Sequence, residues 1–132
     1  MYNIVSEENA AKILIVDDAA FMRVVLKDIL TTSGYSTIYE AGDGAAAVQS
    51  YKTHKPDLVT MDINMPGMDG LQALKSILEI NPVAKIVMVT SVEQKHIVQK
   101  AIKLGAKDYV AKPFDRTNVS VVVGKVLNGT SG

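Results

Sequence analysis

Three acidic residues stand where the sequence predicts that strands end. Asp17 and Asp18 directly follow the apolar run 12–16, and Asp62 directly follows the run 57–61. Carboxylates that lie close together repel one another and raise each other's pKa unless a positive group shares the site. Mg²⁺ prefers such oxygen ligands and keeps waters that can meet a phosphate group. The three acids therefore indicate a site for a hard divalent cation.

A hydroxyl group and an ammonium group complete the set of candidate functional residues. Thr90 ends the apolar run 85–90, and Lys112 directly follows the run 107–111. Both groups bind phosphoryl oxygens well, and phosphoryl transfer depends mainly on such positioning and on neutralisation of charge. A carboxylate is a competent nucleophile for this reaction. The pattern predicts phosphoryl chemistry and leaves open which of the three acids is the nucleophile.

Alternating strands and helices must bring these residues together. The predicted strands are 12–16, 36–41, 57–61, 85–90 and 107–111, and the predicted helices are 20–32, 44–53, 70–80, 93–104 and 116–127. The alternation predicts an α/β fold, a single doubly wound domain with a five-stranded parallel sheet and five helices. The more polar run 36–41 is predicted to be an edge strand. Because parallel strands end along one rim, we expect the candidate residues to line that rim.

Length and composition restrict the class of protein. A chain of 132 residues fits one domain, and its 14 basic and 14 acidic residues give a formal charge of zero. This balance gives no reason to expect nucleic acid or a membrane as a partner. Because cysteine and a long apolar N-terminal run are both absent, we expect a cytoplasmic protein. We expect a flexible extension over residues 1–11, the domain over 12–127, and a frayed terminus over 128–132.

Four motifs carry a resemblance to a known family. In chain order they are LIVDDAAFMR, DLVTMDINMPGMDG, IVMVTS and GAKDYVAKPF. Together they resemble the receiver domain of two-component response regulators, most closely the single-domain chemotaxis type, over residues 12–127. The resemblance implies a flavodoxin-like domain with the strand order 2-1-3-4-5 that is already known for this type.

The resemblance also divides the chemistry among the acids. It implies that Asp62 accepts the phosphoryl group. It further implies that Asp17, Asp18 and Asp62 hold Mg²⁺ together with the backbone carbonyl of Asn64.

Four residues match the positions that change when a receiver domain is activated. Thr90 matches the switch hydroxyl of the family, and Lys112 matches its phosphate-pairing lysine. Tyr109 matches the aromatic residue that turns inward. The bond between Lys112 and Pro113 matches a cis peptide, a geometry that only X-Pro bonds adopt at low cost.

The function implied by the resemblance is a phosphorylation-activated switch and not an enzyme acting on external substrates. The chain would catalyse only its own phosphorylation and dephosphorylation. A sensor histidine kinase would supply the phosphoryl group, and a flagellar motor switch protein or a phosphatase would receive the monomeric, phosphorylated protein. The alternative within the family is a phosphorelay intermediate that passes its phosphoryl group to a histidine phosphotransfer domain.

Two other classes of protein share parts of this pattern. A haloacid-dehalogenase-like phosphatase also uses an aspartyl nucleophile and Mg²⁺, but neither Asp17 nor Asp62 begins a DxDx(T/V) motif. A flavodoxin-like electron carrier would need a phosphate-binding loop, and neither GxGxxG nor GxxxxGK is present. We therefore interpret Gly42, Gly44, Gly67 and Gly70 as turn glycines.

Overall fold

A five-stranded parallel sheet forms the centre of the molecule in the computed structural model, which describes residues 10–129. The strands are β1 (Lys12–Val16), β2 (Thr37–Ala41), β3 (Leu58–Asp62), β4 (Ile86–Thr90) and β5 (Asp108–Ala111). The helices are α1 (Ala20–Thr32), α2 (Gly44–His54), α3 (Gly70–Ile80), α4 (Lys95–Leu104) and α5 (Arg116–Asn128). The strand order is β2-β1-β3-β4-β5 and every pair is parallel. The predicted fold class and strand order are confirmed, and β2 is an edge strand as expected.

Helices cover both faces of the sheet because the central strands are apolar on both sides. On one face, β1 residues Ile13 and Ile15 pack with α1 and α5, whose buried residues include Leu30 and Val123. On the other face, Leu14 and the remaining strand residues of that side pack with α2, α3 and α4. Since successive strand residues point to opposite faces, this alternation also decides to which face each strand-end side chain is directed.

The predicted element boundaries agree with the structure to within one or two residues, with one difference in type. A short 3-10 helix, Val92–Gln94, precedes α4, where the sequence predicted one continuous helix from residue 93. Asp62 is the last residue of β3 and not the first residue after it. Its backbone is therefore held by the sheet ladder.

The ends of the domain differ from the expected limits where the structure describes them. Ala11, which was assigned to the flexible extension, is buried in the core beside α1 and α5. Asn128 is the last residue of α5, and Gly129 adopts a left-handed conformation (φ 74°) that ends the helix. Residues 1–9 and 130–132, on which the rest of the terminal predictions fall, lie outside the described residues. Within 10–129, no helix combines the length and apolar character that crossing a bilayer requires.

Candidate functional site

The carboxyl ends of β1, β3 and β5 bring acidic and basic side chains together. Asp17 directly follows β1, Asp62 ends β3 and Lys112 directly follows β5. Counting every second residue along each strand directs all three side chains to the face that carries α1 and α5. The structure thus brings Asp17, Asp62 and Lys112 to the same end and the same face of the sheet.

Three carboxylates form one cluster at this rim. One oxygen each from Asp17, Asp18 and Asp62 can be chosen so that all lie within 4.8 Å of one another. Asp17 and Asp62 are buried, whereas Asp18 is exposed and leaves one side open to water. A set of hard oxygen donors with open access fits Mg²⁺, which binds through one or two carboxylates and keeps part of its water shell. These residues are therefore suited to hold that ion.

Asp62 has a perturbed acidity. Burial raises the pKa of its carboxyl from 3.8 to about 6, and the neighbouring charge of Asp17 adds to the increase. The charge of Lys112 and a hydrogen bond from the backbone of Asn64 act in the opposite direction. At neutral pH the carboxylate is mostly ionised, although its charge is poorly solvated. A cation bound at this edge would relieve that cost.

The Lys112 ammonium lies between two of the acids. Its Nζ is 2.9 Å from Asp17 Oδ2 and 3.7 Å from Asp62 Oδ2. Its backbone N–H donates to the carbonyl oxygen of Thr90 at 2.8 Å, which ties the end of β5 to the end of β4. The peptide bond between Lys112 and Pro113 is cis, as the resemblance implied. Lys112 therefore joins the acidic cluster to the neighbouring strand.

Thr90 and Tyr109 lie on the opposite face of the sheet from the acids. Thr90 is fully buried, and its hydroxyl donates to the carbonyl oxygen of Ser91 at 2.9 Å. It lies one residue beyond Val89, the register partner of Asp62. Tyr109 is 38% exposed and lines a groove on α4 together with Val98 and Ile102. The structure thus places Thr90 beside the site and Tyr109 at the surface.

Asn64 is an exposed residue in the loop after β3, two positions beyond Asp62. Its backbone hydrogen-bonds to the Asp62 carboxylate. The predicted role of its carbonyl oxygen as a metal ligand stays a prediction.

One glycine beside Asp62 serves a purpose that its interpretation as a turn residue missed. Gly70 is buried at the first position of α3, and its N–H donates to the carbonyl oxygen of Ile63 at 3.0 Å. A Cβ at this position would lie 2.3 Å from the carbonyl oxygen of Asp62. The helix can approach β3 this closely only because residue 70 has no side chain. Gly67, in contrast, has φ 75° and open space around it, as expected for a turn.

Arg23 is a second residue that the sequence analysis did not select. Its Nη1 donates to the backbone carbonyl oxygen of Asp17 at 2.6 Å, and its Nε donates to Glu40 Oε1 at 3.1 Å. The guanidinium thereby connects the loop after β1 with β2. Its place at the end of the motif LIVDDAAFMR could have drawn attention to Arg23, but nothing in the motif predicts which groups it contacts.

Sequence comparison relates the chain to a described family and to individual proteins. The family model described as "Response regulator receiver domain" matches residues 13–123. The chemotaxis protein CheY of Bacillus subtilis is 52% identical over 119 residues, which are 90% of this chain and 99% of that protein. The CheY of Thermotoga maritima is 51% identical over 115 residues, covering 87% and 96% of the two chains.

Structural comparison gives the same relationship. The structure of a CheX–CheY–BeF3–Mg complex from Borrelia burgdorferi matches with a TM-score of 0.82 and 36% identity, over 89% of each chain. NtrX from Brucella abortus matches with a TM-score of 0.86 and 31% identity, over 92% of this chain and 27% of that one. The same domain thus occurs both as nearly the whole of a chain and as part of a longer one.

Proposed function

Because the chain belongs to the family of response regulator receiver domains, of the kind found in CheY, we propose that it is a signalling switch whose phosphorylated residue is Asp62. The observation that carries this proposal is the buried Asp62 carboxylate within 4.8 Å of Asp17 and Asp18, with Lys112 beside it. Receiver domains of this family are signalling proteins. Membership of the family therefore favours a switch over the phosphatase considered above.

The proposed reaction is transfer of a phosphoryl group from a phosphohistidine of a sensor kinase. A carboxylate oxygen of Asp62 forms a bond to phosphorus as the phosphorus–nitrogen bond breaks, and the electron pair of that bond leaves with the imidazole. Lys112 supplies a positive charge to the phosphoryl oxygens, and the poorly solvated Asp62 is ionised at neutral pH. Mg²⁺ held by Asp17, Asp18, Asp62 and the carbonyl of Asn64 would neutralise the phosphoryl oxygens. The protein itself acts on no other substrate in this proposal.

Release of Lys112 from Asp17 is the proposed start of the signal. When Lys112 turns to the phosphoryl group, the hydrogen bond from its backbone N–H to the carbonyl oxygen of Thr90 would couple the movement of β5 to β4. The Thr90 hydroxyl would exchange its bond to Ser91 for one to the phosphoryl group, and Tyr109 would move into the space that Thr90 leaves. The proposed output is a changed surface on α4 and β5 that binds a partner protein in the cytoplasm.

The named relatives support a role in chemotaxis. In the proposed pathway a sensor histidine kinase acts upstream, and a flagellar motor switch protein or a phosphatase binds downstream. The complex of CheX with CheY shows that a related chain binds another protein. The phosphorelay alternative differs in one observable, which is transfer of the phosphoryl group from Asp62 to a histidine phosphotransfer domain.

The decisive experiment is labelling with acetyl phosphate and Mg²⁺, followed by mass spectrometry of the intact protein and of its peptides. We expect one added phosphoryl group on Asp62, none in Asp62→Asn, and none in the presence of EDTA. Asp43→Asn is a matched control because Asp43 lies on the same rim, outside the cluster, and caps α2, a task that Asn performs equally well. Labelling retained in Asp62→Asn would refute the assignment.

A further inference from the structure

Arg23 holds the peptide unit that joins two of the three clustered acids. The carbonyl oxygen that accepts its 2.6 Å bond belongs to the peptide between Asp17 and Asp18. The orientation of that peptide determines the directions in which both side chains leave the backbone. Arg23 therefore acts on two carboxylates of the cluster through one hydrogen bond.

The guanidinium is itself fixed by β2. Its Nε bonds to Glu40, which is aligned with Ile15 in the register of β1 and β2. The backbone N–H of Asp17 also bonds to β2, through the carbonyl oxygen of Ala41 at 3.1 Å. The Arg23 side chain is only 20% exposed, and its planar fork can engage both partners together. Both backbone polar groups of Asp17 are thus anchored to the neighbouring strand.

We propose that Arg23 is a positioning residue that sets the Asp17–Asp18 peptide for divalent-cation binding, with Glu40 as its support. This inference rests on the proposed function, because it takes the acidic cluster as the Mg²⁺ site. Without Arg23, the peptide can rotate, and the two carboxylates converge in only a fraction of the molecules. The apparent affinity for the cation then falls to that fraction of its value in the wild type.

Electrostatics alone predicts the opposite result. Removing a positive charge near an acidic cluster strengthens binding of a divalent cation, because less repulsion remains. Lys27 provides a control with the same change of charge on the same helix. Its Nζ lies 3.7 Å from Glu40, and its side chain is more than half exposed. Arg23→Gln and Lys27→Gln therefore separate geometry from charge.

The experiment measures Mg²⁺ dissociation constants by calorimetry for the wild type, Arg23→Gln, Arg23→Lys and Lys27→Gln, with thermal unfolding as a check of folding. We expect about tenfold weaker binding in Arg23→Gln, as for other residues that orient metal ligands. Arg23→Lys keeps the positive charge but lacks the planar guanidinium that bonds to two partners at once, so this variant should also bind Mg²⁺ more weakly. Lys27→Gln should bind as tightly as the wild type or more tightly. The backbone amide resonance of Asp18 should shift or broaden in both Arg23 variants and not in Lys27→Gln.

Each result decides the proposal. Wild-type affinity or tighter binding in Arg23→Gln overturns it, as does an equal loss in Lys27→Gln. If Arg23→Gln does not fold, Arg23→Lys decides alone, and wild-type affinity in that variant overturns the proposal. A wild-type protein that binds no Mg²⁺ would refute the proposed function together with this inference. Equal binding by the wild type and the Arg23 variants refutes the inference alone.

Discussion

The ammonium of Lys112 lies closer to Asp17 than to Asp62, at 2.9 Å against 3.7 Å. The positive charge of Lys112 therefore neutralises mainly Asp17, and only secondarily Asp62, which is proposed both to bind the metal and to accept the phosphoryl group. Lys112 and a divalent cation then compete for Asp17.

Replacing Lys112 by Gln is expected to separate metal binding from phosphorylation. Mg²⁺ affinity should rise about fivefold, equivalent to ~1 kcal/mol, because a competing and partly solvated charge is removed. The initial rate of labelling by acetyl phosphate at saturating Mg²⁺ should fall about a hundredfold, because a donor to the phosphoryl oxygens is lost. Calorimetry and intact-protein mass spectrometry measure the two effects.

Lys107→Gln is the control for charge alone, because Lys107 is exposed just before β5, at the opposite end of that strand from Lys112. Neither quantity should change in this variant. A drop in Mg²⁺ affinity in Lys112→Gln would show that Lys112 supports the metal site and does not compete with the cation.

Asp62→Asn is expected to stabilise the metal-free protein in a pH-dependent way. The folded-state pKa of Asp62, about 6, lies above its ordinary value of 3.8, so ionisation is less favourable in the folded chain than in the unfolded chain. The wild type therefore loses stability as the pH rises from about 4 to above 6, and an amide does not titrate. With EDTA at pH 7.5, the free energy of unfolding of Asp62→Asn should exceed that of the wild type by about 3 kcal/mol.

Urea unfolding between pH 4.5 and 8 measures this difference, which should shrink as the pH falls below 6. Glu79→Gln is the control because Glu79 is an exposed carboxylate on α3, and its effect should be small at every pH. A difference that grows toward low pH would contradict the raised pKa. Addition of Mg²⁺ should reduce the advantage of Asp62→Asn, since the cation stabilises the wild-type cluster.

The residues whose position follows from topology alone are predictable from the sequence. Asp17, Asp62, Thr90 and Lys112 all lie at strand ends, and parallel strands place those ends on one rim whatever the details of packing. Periodicity could not distinguish the 3-10 turn at Val92–Gln94 from the first turn of α4, because short stretches of both carry similar patterns.

The residues that sequence reasoning missed depend on tertiary contacts. Arg23 reaches Glu40 across 17 positions of sequence, and that contact requires the register in which Ile15 lies opposite Glu40. Gly70 is needed because α3 starts directly against the backbone of Asp62. No local sequence pattern predicts this close approach of helix and strand. Nothing in the local sequence marks Arg23 or Gly70 as part of the site, and their roles follow only from contacts that form in the folded chain.

Gly70→Ala is expected to disturb both stability and the site. The new Cβ would lie 2.3 Å from the carbonyl oxygen of Asp62 and 2.8 Å from the Cα of Ile63, and these backbone atoms can move only if β3 or α3 shifts. The free energy of unfolding should fall by about 2–3 kcal/mol. Labelling by acetyl phosphate should slow, because the shift displaces Asp62.

Gly67→Ala is the matched control for Gly70→Ala, since Gly67 lies three residues earlier, in the loop that leads to α3, with φ 75° and no atom within 4 Å of its Cβ position. It should cost only about 1 kcal/mol of conformational strain and leave the labelling rate unchanged. Similar effects of the two substitutions on labelling would show that the loop as a whole, and not the contact at Gly70, positions Asp62.

Thr60→Val is expected to stabilise the protein. Thr60 lies in the middle of β3, and within residues 10–129 its buried hydroxyl has no hydrogen-bond partner. Its side chain points to the same face as Leu58, among the apolar residues beneath α1 and α5. Valine has the same shape without the hydroxyl, so the free energy of unfolding should rise by about 1 kcal/mol in urea titrations.

Thr60→Ser keeps the hydroxyl and loses the methyl group, and should instead be destabilised by about 1 kcal/mol. Destabilisation by valine would mean that the hydroxyl is hydrogen-bonded in solution, most simply to a buried water, and that β3 has a polar contact two residues before Asp62.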